Sequence, residues 1–346
     1  MTKEIESKMN QKSLAYDRHQ ANNASENQAE YGKFRGEVKK NMRVNLVAIV
    51  ILSRGKCGLS KCISRYLVAM AVADLLVIIT EVLMWRMAEI FFPQTFLSIA
   101  PMCSLNVVFV FATTVISVWL TVTFTFDRFV AISCEKLKAK YCTERTAAVV
   151  IGTVSVLGSL KCIPWYFTYE PQHIIGSVPW GCTRKPSFYT SATWAAFELT
   201  FYLVTPCLPF VFVLLFNVLT ARHILAASRV RRGLRGHSNG EDHKDLEMEN
   251  RRKSIILLFS ISGSFILLWV TEIVFYTYQR ITNTYDYSSN DPPYITERAG
   301  VMLQLLSSCT NTCIYVLTQN KFREELKNGV KYPLNVIIKF VNNRNS

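Results

Sequence analysis

Asp127 and Arg128 stand side by side in the chain, followed by Phe129. An adjoining carboxylate and guanidinium can form a charge-assisted, mutually neutralising pair. Cys103 lies 25 residues upstream, about 37 Å along a helix. One helix thus carries a thiol at one end and an acid–base pair at the other. A second cysteine, Cys182, follows in the stretch Tyr166–Thr190, and both would face an oxidising lumen, where a disulfide can form. Asp74 sits in the apolar run Ala69–Leu76, where a carboxylate is costly and demands partners. Phe265 and Trp269, and Asn311 and Tyr315, are i,i+4 pairs that share a helix face. Taken alone, an aromatic pair of this kind is packing. Catalysis lacks its parts: His19, His173, His223, His237 and His243 all fall outside the apolar runs. No His-x-x-x-His and no paired carboxylate within the runs is present, so metal or Ser–His chemistry is not supported.

These residues are distributed over long apolar segments. The chain has 346 residues, of which 50% are hydrophobic and 18% charged, against about 25% charged in soluble domains. Crossing a bilayer takes about 20 apolar helical residues. Six segments qualify: Tyr66–Trp85, Met102–Phe126, Thr146–Tyr166, Ser191–Thr220, Ser254–Tyr278 and Gly300–Leu317. Val44–Leu52 is a nine-residue stub, preceded by the polar stretch Glu26–Arg43. The expectation is an all-α polytopic membrane protein with an incomplete first helix. Residues 1–43 read as a disordered polar tail, 222–253 as a long cytoplasmic loop helical only at its ends, and 333–346 as a C-terminal tail. No cleavable signal peptide is visible in Met1–Asn10, and Asn23-Ala24-Ser25 is a glycosylation sequon if the tail lies outside.

The net charge of +14 has a location. Of 39 Lys and Arg, 24 fall in Arg54–Arg65, Arg128–Arg145, Arg222–Lys253 and Lys321–Arg344, which makes that side cytoplasmic. The excess needs no nucleic acid, and it suits anionic membrane lipid. Asp74 then lies nine residues past Arg65, about 13 Å deep. Ser117, Ser307 and Asn311 offer oxygens at similar depth, a set that favours a hard cation such as Na⁺. The alternative is a structural network around a protonated Asp74.

Together these features resemble the rhodopsin-like (class A) family of seven-helix G-protein-coupled receptors, from about Val44 to Tyr332. Asn45 is similar to that family's first-helix Asn, Asp74 to its sodium-site Asp, and Cys103 and Cys182 to its extracellular disulfide. Asp127-Arg128-Phe129 resembles D-R-Y, Phe265 and Trp269 resemble F-x-x-x-W-x-P, and Asn311 to Tyr315 resembles N-P-x-x-Y. Phe322 is similar to the anchor of an amphipathic eighth helix, here 319–331. The wording of Arg65–Met70 is closest to the G-protein coupled receptor 139-like group. Thr312 and Thr271 stand where the family carries prolines, and no Trp lies midway along Thr146–Tyr166. Without those prolines, a bend must come from Gly263 or a water.

The resemblance implies a plasma-membrane receptor with a ligand entering from outside and a heterotrimeric G protein docking inside. Arg128 pairs with Asp127 at rest and is released on activation, when Tyr315 swings in. Trp269 forms the pocket floor. Asn106, Phe109, Val110, Glu198, Glu272 and Gln304 are the pocket candidates by depth. Val110 replaces the Asp of amine receptors, which speaks against a monoamine, and Leu305 replaces the opsin lysine, which excludes retinal. Glu198 and Glu272 would meet a cationic or zwitterionic ligand such as an amino acid or peptide, or merely pair with polar neighbours. Two rival functions are a non-signalling truncated receptor-like product and, more remotely, a channel or transporter; the latter lacks a pore loop or repeat.

Overall fold

The structure is a computed structural model that describes residues 36, 38–55, 57–87, 95–175, 177–234, 242–282, 291–318 and 320–327. Asn23 and the tail 333–346 lie outside these. The chain divides into two units, Met1–Arg43 and Val44–Ser346. In the first, the described residues 38–43 are helical rather than irregular. Lys39, Lys40, Met42 and Arg43 are good helix formers, which a reading by polarity alone overlooks.

The second unit is a bundle of helices. Helix α1 is the part, 44–53, that falls in this unit of a helix unbroken over 38–53. Helix α2 is Lys61–Val77, continued by a π-helical stretch Ile78–Met87; α3 is Ala100–Ser133 and α4 is Glu144–Cys162. Helix α5 runs as Ala192–Tyr202, a π-helical turn Leu203–Cys207, and Leu208–Leu234. Helices α6 and α7 are Asp242–Thr282 and Pro292–Thr318, and α8 covers 320–327. Six helices among the described residues are long and apolar enough to cross a membrane, and α1 is not among them. Much of the region 222–253 is helical, as extensions of α5 and α6. Helix α6 runs unbroken through Gly263 and Thr271.

Local chemistry sets the helix starts. Ser60 and Thr143 cap α2 and α4 by accepting from the N–H groups of Ile63 and Thr146, and Pro101 opens α3, where a missing N–H is harmless. Inside the helices, Thr121 and Thr125 donate to carbonyls one turn back, so their hydroxyls are satisfied without water. Apolar side chains face outward as well as inward, as in Val149, Leu157 and Leu267, which suits lipid. Three buried clusters stack along the bundle. The cytoplasmic one includes Tyr66, Phe124, Leu257, Tyr315 and Phe322. The middle one holds Val118, Val213, Phe265 and Trp269. The outer one centres on Trp165, which stacks on Phe111 at 4.4 Å and meets Phe201 edge-on at 5.2 Å.

The loop between α4 and α5 departs from the all-helical expectation. It forms two small antiparallel ladders: β1 (Tyr169–Glu170) with β4 (Thr183–Arg184), and β2 (His173–Ile175) with β3 (Val178–Trp180). Gly181 takes φ +67° at the turn into Cys182, and its N–H donates to Ser98 C=O at 2.7 Å. That bond and the Cys103–Cys182 disulfide pin the hairpin to the outer end of α3.

Candidate functional site

Three levels of chemistry lie along α3. At the cytoplasmic end, Arg128 Nε donates to Asp127 Oδ2 at 3.0 Å and Nη2 contacts the same oxygen. The side chains are 7% and 1% exposed. Cys62 Sγ donates to the other carboxylate oxygen at 3.3 Å, and the guanidinium lies 5.9 Å over the Phe124 ring. Cys142 Sγ reaches the Asp127 carbonyl at 3.7 Å. Burial, with the Asp127 charge behind it, pushes that thiol up to about 11. This end is therefore dry and closed, with the acid–base pair neutralised. Tyr315 is fully buried close by, packed on Phe322 at 6.0 Å, with no partner for its hydroxyl among the described residues.

At mid-depth, Asp74 is 1% exposed. Ser117 Oγ donates to Oδ1 at 2.7 Å and Asn311 Nδ2 donates to Oδ2 at 2.8 Å. Both bonds come from neutral donors, so the carboxylate still needs a proton or a cation to balance it. Ser307 does not reach Asp74; with Ser117 and Asn311 it lines a small cavity bounded by Phe265 and Trp269. Hydroxyl and carboxylate oxygens thus gather at this level, while Asn311 turns its amide nitrogen, not its oxygen, to the carboxylate. One turn away, Asn45 holds α1 to α7. Its Nδ2 donates to Ser308 C=O at 3.1 Å, and Thr312 Oγ1 donates to its Oδ1 at 3.2 Å. Thr312, standing in for a family proline, thereby supplies a hydrogen bond that proline cannot.

The outer level is a cavity framed by α2, α3, α5, α6 and α7 and touched by Tyr169 of the hairpin. Trp269 is shared between this cavity and the one below. Its ring packs 5.5 Å from that of Phe265. Both π-helical stretches open onto the cavity: the first supplies Glu81 and Trp85, the second Thr205 and Pro206. Pro206 has no N–H to give, and the ladder widens there, with Leu208 N–H bonded to Leu203 C=O. Lys161 braces the widened turn from α4, donating to Thr205 Oγ1 at 2.6 Å with its ammonium 4.4 Å over the Phe201 ring.

A family model described as 7 transmembrane receptor (rhodopsin family) matches residues 44–315. The chain belongs to the rhodopsin family of seven-transmembrane receptors. It is accordingly a multi-pass membrane receptor with a signalling role and not an enzyme. The receptor's Cys103 and Cys182 are joined, with Cα atoms 6.0 Å apart.

Of the pocket candidates, the receptor brings together Val110, Glu272 and Gln304. Asn106, Phe109 and Glu198, expected in the pocket by depth, do not line this cavity. Phe109 is 44% exposed on the outer face of α3, about 200° from Val107 and Phe111, which do line the cavity. Asn106 is buried with neither amide atom hydrogen-bonded, on the α3 face that carries Thr113, whose hydroxyl meets Thr80 of α2 at 3.1 Å. Glu198 is drawn to the hairpin, 3.9 Å from Arg184. Two acids that sequence reasoning passed over, Glu81 and Glu297, line the cavity with Glu272. The three are not adjacent in the chain but come from three helices. For Glu297 spacing carries the missing signal, since it stands seven residues before Gln304 and so on the inward face of α7; Glu81 lies in the π-helical stretch, where that period does not hold.

Proposed function

We propose that this chain is a plasma-membrane G-protein-coupled receptor that passes an extracellular small-molecule or peptide signal to a heterotrimeric G protein, in the manner of the G-protein coupled receptor 139-like group. The supporting observation is a single bundle with a walled outer cavity, an indole at its floor, and a sealed acid–base pair at the opposite end of the same helix. Ligand contacts made only with a second arrangement of the helices shift the population toward it. In that arrangement Arg128 leaves Asp127 and faces the G protein, and Tyr315 moves in to support it. Asp74, with Ser117, Ser307 and Asn311, is the seat for a sodium ion, which would supply the counter-charge that steadies the resting arrangement.

Two measurements test this reading. In membranes carrying the receptor with purified heterotrimers, nucleotide exchange should exceed that of empty membranes, and Arg128→Ala should return it to background at equal surface level. Retained exchange in Arg128→Ala refutes the role given to Arg128. Sodium should shift agonist affinity in the parent receptor and not in Asp74→Asn; an equal shift in both removes the sodium seat.

A further inference from the structure

Lys161 is a charged side chain within a membrane-spanning helix, about 25 Å along α4 from Glu144 at its cytoplasmic end. A charge inside the bilayer is costly and marks a functional site by default. A lysine so placed commonly stretches along its own helix toward water. Lys161 reaches sideways to α5 instead. Its ammonium donates to Thr205 Oγ1 at 2.6 Å and to Phe201 C=O at 3.4 Å, and lies 4.4 Å over the Phe201 ring. An ammonium carries three donors. Two of them serve neutral oxygens, which an uncharged amide could serve equally well. The charge itself is unbalanced: among the described residues Lys161 forms no ion pair, and the one titratable group bearing on it is the Cys162 thiol. Glu198, the acid one turn before Phe201, is drawn to Arg184.

The surroundings of this charge are apolar. Helix α4 packs chiefly on α2 and α3; at Gly158 an added Cβ would lie 3.1 Å from Ile116 of α3. Helix α5 meets α3 alongside, with Phe212 edge-on to Trp119 at 6.4 Å. Ile116 and Trp119 both stay partly exposed, so a furrow with α3 as its floor is left between α4 and α5. Leu157, one turn before Lys161, and Leu208 of α5 are exposed, and the Lys161–Thr205 bond spans the furrow. A hydrocarbon chain suits the apolar walls. A carboxylate suits the charge, because charge-assisted bonds are roughly twice as strong as neutral ones. One molecule that carries both is a fatty acid. An anionic phospholipid also carries both, but such lipids give the cytoplasmic leaflet its negative potential, whereas Lys161 stands at the end of α4 that leads into the hairpin.

We propose that the furrow between α4 and α5 binds a long-chain fatty acid from the outer leaflet, with its carboxylate on Lys161 and its chain along Leu157, Leu208 and Phe212 toward mid-membrane. This is a second site, on the lipid side of the bundle, and it does not depend on what the outer cavity holds or on coupling to a G protein. The two sites share one residue: Thr205, the hydroxyl partner of Lys161, is also a wall of the outer cavity.

The test is thermal stabilisation of the full chain in phosphatidylcholine nanodiscs, with oleic acid as the probe. Oleyl alcohol offers the same chain without the charge, hexanoic acid the charge on a short chain, and phosphatidylglycerol the charge on a phospholipid. Oleic acid should raise the melting temperature saturably, and each of the other three should need about tenfold more or fail to act. Lys161→Gln keeps a donor for Thr205 and removes the charge; it should weaken the oleic acid effect about tenfold, while Lys161→Arg stays close to the parent. If Lys161→Gln does not fold, Leu157→Trp, which fills the furrow, carries the comparison with a loss in the same direction. A photoreactive oleic acid should label α4 or α5. No response to oleic acid, an equal response to oleyl alcohol or hexanoic acid, labelling confined to other helices, or an unchanged oleic acid effect in the variants overturns the proposal. An equal response to phosphatidylglycerol overturns the fatty acid in favour of a phospholipid headgroup. Nucleotide exchange is read separately, so loss of coupling and loss of this site are told apart.

Discussion

Asp127→Asn is the sharpest perturbation available at the cytoplasmic end. The change keeps shape and the possibility of accepting one hydrogen bond, but removes the charge that faces Arg128. The guanidinium, 7% exposed, then lacks its counter-ion. Two donor contacts to one charged oxygen are lost or weakened, each worth about 1.5–3 kcal/mol with a charged acceptor. Part is retained, because the neutral amide oxygen still accepts and the Phe124 ring still attracts the cation from 5.9 Å. A net loss of about 2 kcal/mol, felt only by the arrangement in which the pair is closed, multiplies the open-to-closed ratio about 30-fold. A receptor open about 1% of the time would then be open about a quarter of the time. The assay is ligand-free nucleotide exchange on a purified heterotrimer, normalised to surface receptor. Basal exchange at or below the parent's, at equal surface level and with agonist response intact, would falsify the assignment of this pair as the closed-state restraint.

Two further outcomes follow from the geometry. Cys182→Ser should lower stability by about 3 kcal/mol rather than the roughly 4.5 kcal/mol of a fully flexible loop spanning the separation of 79 residues, because helices already formed in lipid leave only about 14 flexible residues before Cys182; melting of the purified receptor with and without reductant measures it, and no change would show that the hairpin is held without the bridge. Asn45→Ala removes both bonds joining α1 to α7 and should cost about 2 kcal/mol, seen as a lower melting temperature, with Thr312→Val giving roughly half the effect; equal losses would mean that Ser308 C=O carries nothing.

What was legible in the sequence was what long regular helices make predictable. Asp74, Ser117 and Asn311 meet because each lies at a computable depth, and the disulfided Cys103 follows from the length of α3 in the same way. Depth alone does not give the angle about the helix axis: Phe109 lies at the cavity's level but faces outward. Glu198 lies at a cavity level, but Arg184 reaches it from a hairpin whose fold depends on pairings invisible in hydropathy. Hydropathy does not reveal the π-helical turns either. They change the number of residues per turn over a short stretch, and only at Pro206 does the sequence mark the place. Trp165 repeats the lesson: a residue outside any expected motif is the fully buried hub of the outer cluster, because rings from three elements converge on it.

The indole of Trp269 is a wall common to two spaces, the large one above and the small one at the level of Ser117 and Asn311. A shared wall makes their contents partners in a reciprocal bargain. If an occupant of the upper space binds more tightly with the ring tilted one way, it alters the room below, and whatever sits below must alter affinity above by the same factor. Titrating either occupant against the other therefore reports one number, the free energy stored in the position of a single side chain.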